Sequence, residues 1–180
     1  QQGWEGSKWL EEIRNKNAQM QNHAINVAGG NETSKLSAGF SYTSQDGIIG
    51  KGVTPNYTRY TTRINSDHII LKGTDRDIVK IGENLSFYYS TNSTVAQSTY
   101  TFNDVCQAIQ APAILPIYNS NGGLFDYNSM QETGWIYDDK QGNPMLEMQK
   151  SHGLNLTRSY GLNATAYLEI EPLKGLKWRS

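Results

Sequence analysis

The feature that most constrains this chain is polar and apolar alternation sustained far beyond the length of an ordinary strand. From Leu154 to Ile170, one parity holds Leu154, Leu156, Tyr160, Leu162, Ala164, Ala166, Leu168 and Ile170. The other holds Asn155, Thr157, Ser159, Gly161, Asn163, Thr165 and Glu169. Period two means a strand with one apolar and one polar face. Strands in globular proteins average about 5–6 residues. A much longer strand, apolar on one side and polar on the other, suits a wall between lipid and a watery lumen.

Three further stretches read the same way. Residues 33–45 set Leu36, Ala38, Phe40 and Tyr42 against Lys35, Ser37, Gly39 and Ser41. Residues 77–91 set Val79, Ile81, Leu85, Phe87 and Tyr89 against Lys80, Gly82, Asn84, Ser86 and Ser90. Residues 56–70 gather Arg59, Thr61, Arg63, Asn65 and Asp67 on one parity, with weaker apolar content on the other. A shorter strand is expected at 22–29, and Leu176 opens a sixth. Gly29-Gly30-Asn31-Glu32, Lys72-Gly73-Thr74-Asp75 and Glu171-Pro172-Leu173-Lys174-Gly175 read as tight turns. Links are thus tight after strands one, three and five, medium after two and very long after four. Short turns on one side and long loops on the other mark bacterial barrels. A structureless link of that length is foreign to a compact soluble domain.

The expected fold is therefore all-β: an antiparallel up-and-down meander of about six strands, part of a large transmembrane β-barrel, with one long extracellular loop. Residues 1–21 form a short helical lead-in, in which Trp9, Leu10 and Ile13 make an apolar patch within a helix expected from Trp4 to Met20. Residues 22–91 carry four strands, 92–153 the loop, and 154–180 two more strands, the second cut short. Within the loop, Asn103 to Ile109 reads as a short helix capped by Asn103.

Composition agrees with a barrel. Mean hydropathy is −0.62, and the hydrophobic fraction is 37%, yet 11 Tyr and 4 Trp exclude a disordered composition. A lumen-facing parity dilutes average hydropathy in this way. Net charge is −1, with no basic stripe, so nucleic acid is not an expected partner. The single Cys106 excludes an internal disulfide framework. No apolar run is long enough for a transmembrane helix.

The chain resembles the first barrel strands of SusC/RagA-type TonB-dependent outer-membrane transporters. The residues that carry the likeness are Gln19-Met20-Gln21-Asn22-His23, Val27 to Lys35, Phe40-Ser41-Tyr42, Gln45-Asp46-Gly47-Ile48, Arg59-Tyr60, Arg63 to His68, Lys80 to Leu85, Ala111 to Tyr118 and Tyr167 to Lys177. The resemblance implies a transporter with an N-terminal plug, a 22-stranded barrel, and a SusD-type lipoprotein partner. Such transporters sit in the outer membrane of Bacteroidetes, import glycans or peptides, and draw energy through TonB. Plug, TonB box and most strands have no counterpart here, so the chain reads as an excerpt, and TonB would act through a region absent from it. The family's Asn-Pro-Val-Ala segment is replaced by Gly142-Asn143-Pro144-Met145.

Other motifs point away from catalysis. His23, His68 and His152 are far apart, and no nucleophile elbow, phosphate loop or His-Glu-x-x-His is present. No enzyme activity, cofactor or metal is expected. Asp138 to Asn143 only partly matches a calcium loop and reads as an exposed turn. Six Asn-x-Ser/Thr sites follow from composition alone. The long loop concentrates Tyr118, Phe125, Tyr127, Trp135 and Tyr137 among amides and carboxylates, the chemistry of sugar stacking and hydroxyl recognition. Tyr127, Trp135, Tyr137, Asp138 and Asp139 are accordingly the candidates for contact with oligosaccharide or peptide substrate or with the partner. Arg59, Arg63, Asp67 and Lys80 are expected to face the lumen. Two alternatives remain: a soluble β-sandwich carbohydrate-binding module, or a surface adhesion protein. A sandwich buries Leu36, Phe40, Leu85, Phe87, Leu162 and Leu168 against a second sheet; a barrel leaves them for lipid.

Overall fold

A computed structural model describes residues 6–95, 104–126, 129 and 143–180. Its main element is one six-stranded sheet with strands in sequence order. They are β1 (Met20–Gly30), β2 (Ser34–Asp46), β3 (Asn56–Lys72), β4 (Asp77–Ser93), β5 (Leu156–Leu173) and β6 (Leu176–Arg179). The alternation placed each strand within a few residues of its observed bounds. The last pair is antiparallel, with Ile170 opposite Trp178.

Tight turns pin the register, by chemistry that differs in part from the expectation. Gly29 and Gly30 are strand residues without positive φ. The turn is made instead by Asn31, whose Oδ1 accepts from the amides of Thr33 (2.9 Å) and Ser34 (2.8 Å). Gly30 serves close approach: a Cβ there would stand 2.5 Å from the Ser34 carbonyl oxygen. The β3–β4 turn closes through Gly73 N–H to the Arg76 carbonyl (2.7 Å). Arg76 then donates to the carbonyls of Glu171 (3.2 Å) and Pro172 (3.0 Å), tying this turn to the β5–β6 turn. That last turn uses Gly175 at φ 85°, its amide held by Glu171 Oε1 (2.9 Å).

Contacts divide the chain into two compact units. One comprises residues 20–44, 58–91 and 158–180, the body of the sheet. The other gathers 1–19, 45–57 and 92–157. The buried hydrophobic core of the described residues lies wholly in this second unit. It is built from Trp9, Ile13, Val53, Val95, Ala108, Leu115, Phe125, Met145 and Met148.

Within that unit, α1 spans only Trp9–Ile13, against the longer helix expected. The chain turns extended at Arg14, which bridges to Ile49. Trp9 and Ile13 are buried while Leu10 is exposed. Trp9 Nε1 donates to the Pro112 carbonyl (3.1 Å), and the amides of Gly50 and Lys51 both reach the Ile13 carbonyl (2.8 and 3.0 Å). Helix α2 runs Asp104–Gln110; the expected cap, Asn103, lies outside the described residues. Helix α3, Pro144–Ser151, has no counterpart in the sequence reading. Asn143 caps it, accepting from Met145 N–H (3.0 Å), with Pro144 at its start. The long link after β4 is thus partly folded, because its apolar residues find partners near residues 9–13 and 53.

Candidate functional site

The faces of the sheet are chemically distinct, and the polar one brings together residues that the alternation had assigned to it. Gly82 sits where Asp67 on β3 and Tyr167 on β5 converge. The Tyr167 hydroxyl donates to Asp67 Oδ1. Arg179 on β6 lies over the same tyrosine ring, 3.8 Å from its centroid. Further along the same face, Arg59 lies 4.5 Å from the centroid of Tyr88. That ring fills the space beside Gly161. Near the turns, Lys80 pairs with Asp77 (2.9 Å), and Lys177 with Glu171 (3.4 Å) and Glu169 (3.7 Å). Glycine is required twice here by close approach, since tyrosine rings from neighbouring strands cover Gly82 and Gly161.

This surface offers carboxylates, a tyrosine hydroxyl bonded to one of them, and cations held over aromatic rings. It can bind and orient a polar chain. Arg59, Asp67 and Lys80 take part in it as described, and Arg63 shares their parity. Among the described residues, no group of three or more His, Cys, Asp or Glu is placed to hold a metal ion. Tyr167, Tyr88 and Arg179 were not singled out from sequence; their only signal was a polar parity interrupted by large aromatics facing glycines.

Gly82→Val in the full-length protein would drive a side chain into the Tyr167 ring and against Asp67 Oδ1. The expected cost is about 1–3 kcal/mol, as for other overpacked sites. Gly29→Val, where a Cβ meets nothing within 4 Å, should be near neutral. Urea midpoints of refolding in detergent measure both, and equal midpoints would mean that the Tyr167 seat is not required.

The apolar face carries an aromatic cluster. His23 stacks on Tyr42 (ring centroids 6.3 Å, interplanar 12°), and Tyr42 meets Tyr60 at 5.2 Å. Phe40 and Tyr60 lie 6.4 Å apart. His23 thus shares a face with Ile25 and Val27. The residues that distinguish sandwich from barrel are open: Leu36 is 52% exposed, Phe40 47%, Phe87 43% and Leu162 68%. Leu85 and Leu168 are partly buried.

Of the candidate contact residues, Tyr127, Trp135, Tyr137, Asp138 and Asp139 lie outside the described residues. Two other loop aromatics have structural roles. Phe125 is buried in the core. Tyr118 donates through its hydroxyl to Glu12 (2.7 Å), which also takes Lys51 (2.6 Å). The Lys51 ammonium, with help from the Tyr118 hydroxyl, holds the Glu12 carboxyl below its ordinary value. The same bond to Glu12 raises the Tyr118 phenol.

No protein-family model and no curated protein matches the sequence. Among solved structures, the chain is similar in fold to the RagAB peptide importer in its closed-closed state. The TM-score is 0.65 at 20% sequence identity, over 97% of this chain and 18% of that one. The chain therefore spans less than a fifth of the protein it matches, and the likeness is one of fold.

Proposed function

We propose that this chain is a stretch of the wall of a TonB-dependent outer-membrane importer of the SusC/RagA type. In this reading it works with a SusD-type lipoprotein and imports glycans or peptides. The observation that carries it is the uncovered apolar face of the sheet. Leu36, Phe40, Phe87 and Leu162 stand open to the surroundings, a pattern that water penalises and lipid favours. The other face carries the polar parity, as a lumen or plug contact requires, with Arg59, Arg63, Asp67 and Lys80 on that parity. No helix among the described residues is long and apolar enough to cross a membrane, so the strands would cross. The likeness in fold to a peptide importer supports the same reading. The sandwich alternative needs a second sheet over these residues, and the described residues form a single one.

Trp135 and Tyr137, with Tyr127, Asp138 and Asp139, remain the proposed contacts for substrate or partner. The test uses the full-length protein that carries this chain, expressed in its native outer membrane. It should require detergent for extraction and bring a lipid-modified partner with it. Trp135→Ala with Tyr137→Ala should reduce uptake of oligosaccharide or oligopeptide without lowering barrel abundance. Recovery of the protein in the aqueous fraction without detergent would overturn the reading.

A further inference from the structure

Toward the tight turns, polar side chains interrupt the apolar face. A groove of about 620 Å³ is lined by Ser66 and His68 of β3, Ile81 and Glu83 of β4, Leu168 of β5 and Trp178 of β6. All six have the parity of the apolar face. The register explains their meeting. Gly73 pairs with Arg76 at the β3–β4 turn, which sets Ser66 opposite Glu83 and His68 opposite Ile81. Thr94 N–H to the Asn155 carbonyl, at 3.1 Å, sets the β4–β5 register. Ser66 is buried, and His68 Nδ1 lies 3.1 Å from Ser34 Oγ. Glu83 is exposed. The groove thus has a polar pole with one carboxylate, beside walls of Ile81, Leu168 and Trp178.

Its place on the sheet is equally specific. Under the same register, His23, Tyr42, Tyr60, Tyr89 and Tyr160 fall in one row across β1–β5, near the ends that lead to the longer links. Trp178 stands opposite Ile170, ten residues along β5 from Tyr160. Ten residues at ~3.3 Å span ~33 Å of strand, or ~25 Å of height at a tilt of ~40°, the height of an outer-membrane apolar band between its aromatic girdles. The groove lies toward the Trp178 end. The amide of Ile69 donates to the Thr33 carbonyl in the β1–β2 turn (2.7 Å), so the rim of the sheet is close to His68.

We propose that this groove is a binding site for the headgroup of an aminophospholipid of the inner leaflet, of the phosphatidylethanolamine class. The inference rests on the membrane reading above. An ionisable side chain on a lipid-facing surface needs a partner. The lining offers a carboxylate and no Lys or Arg, which complements a primary ammonium and repels a headgroup of net negative charge. His68 and Ser66 offer hydrogen bonds to phosphate and glycerol oxygens. Ile81, Leu168 and Trp178 match the acyl portion, so an amphiphile fits where a soluble amine would leave the walls bare.

The full-length protein, purified in detergent, is titrated with phosphatidylethanolamine or phosphatidylglycerol of identical chains and examined by native mass spectrometry. Phosphatidylethanolamine should be retained about tenfold more strongly, the worth of one charge-assisted hydrogen bond. Glu83→Gln should remove that preference, while Asn84→Gln, on the opposite face, should keep it. Equal retention of the two lipids by the wild type, or an undiminished preference in Glu83→Gln, overturns the headgroup site. The comparison of lipids on the wild type needs no variant to fold. A protein that requires detergent but shows no preference rejects this site and leaves the importer reading standing. One that is soluble without detergent rejects both.

Discussion

On the proposed membrane reading, Leu85→Arg in the full-length protein should destabilise it by about 2–4 kcal/mol, the cost of an arginine near the bilayer midplane on a lipid-facing strand. Leu85 lies four residues along β4 from Tyr89, which shares the row of Tyr60 and Tyr160, and so falls well inside the apolar band. Leu162, only two residues from Tyr160, lies nearer the girdle. Its replacement by Arg should cost less, since the penalty falls to about 0–1 kcal/mol at the interfaces. Asn84→Arg and Asn163→Arg, on the polar parity, should be tolerated better than Leu85→Arg. Refolding equilibria in lipid vesicles measure all four. Equal costs on the two parities would reverse the face assignment and with it the case for a membrane wall. A graded cost on the apolar parity alone would give the depth of each residue independently of any structure.

The second large effect is expected at Asn143, in the unit that carries the buried core. This side chain is 2% exposed. Its Nδ2 donates to the carbonyls of Ile117 (2.9 Å) and Phe125 (3.1 Å), and its Oδ1 caps α3 at Met145. One amide thus holds three backbone segments around the Phe125 and Met148 core. Asn143→Leu keeps the volume but takes the partner from the Phe125 carbonyl and the Met145 N–H, and one of two donors from the Ile117 carbonyl, which keeps the Phe125 N–H (3.0 Å); a buried group left unpaired costs about 1–3 kcal/mol. A loss of about 3–5 kcal/mol in the stability of that unit is expected. Asn143→Asp keeps the cap but sets carboxylate oxygen against carbonyl oxygen, so it should also destabilise. Hydrogen exchange at the amides of Leu146, Glu147 and Phe125 in the full-length protein reads the effect locally, while the sheet amides should not change. Unaltered protection in both variants would mean that the core holds without this residue.

These two sites differ in how far the sequence reveals them. The faces of the sheet were legible because period two is a local property. A strand presents alternate residues to opposite sides whatever it packs against, and tight turns carry the register from one strand to the next. Arg59, Asp67 and Lys80 were therefore assigned to the polar face from spacing alone. Turn chemistry was less legible. Within Gly29-Gly30-Asn31-Glu32, it is the Asn31 side chain that makes the turn, because an Asx bond holds the backbone there, while the two glycines are strand residues and Gly30 answers to close approach.

What the sequence by itself determined is the meander: six strands in order, two faces, and where each begins and ends. Tertiary structure decided the rest. Trp9 meets Pro112, Glu12 meets Tyr118 and Asn143 meets Ile117 and Phe125. No periodicity encodes contacts between segments 18 to 106 residues apart, and short helices such as α1 and α3 form where burial of a few side chains outweighs weak local propensity. The same holds for Glu83. Its parity was readable, but its company of Ser66, His68 and Trp178 depends on four strands aligning in one register, which only the assembled sheet supplies.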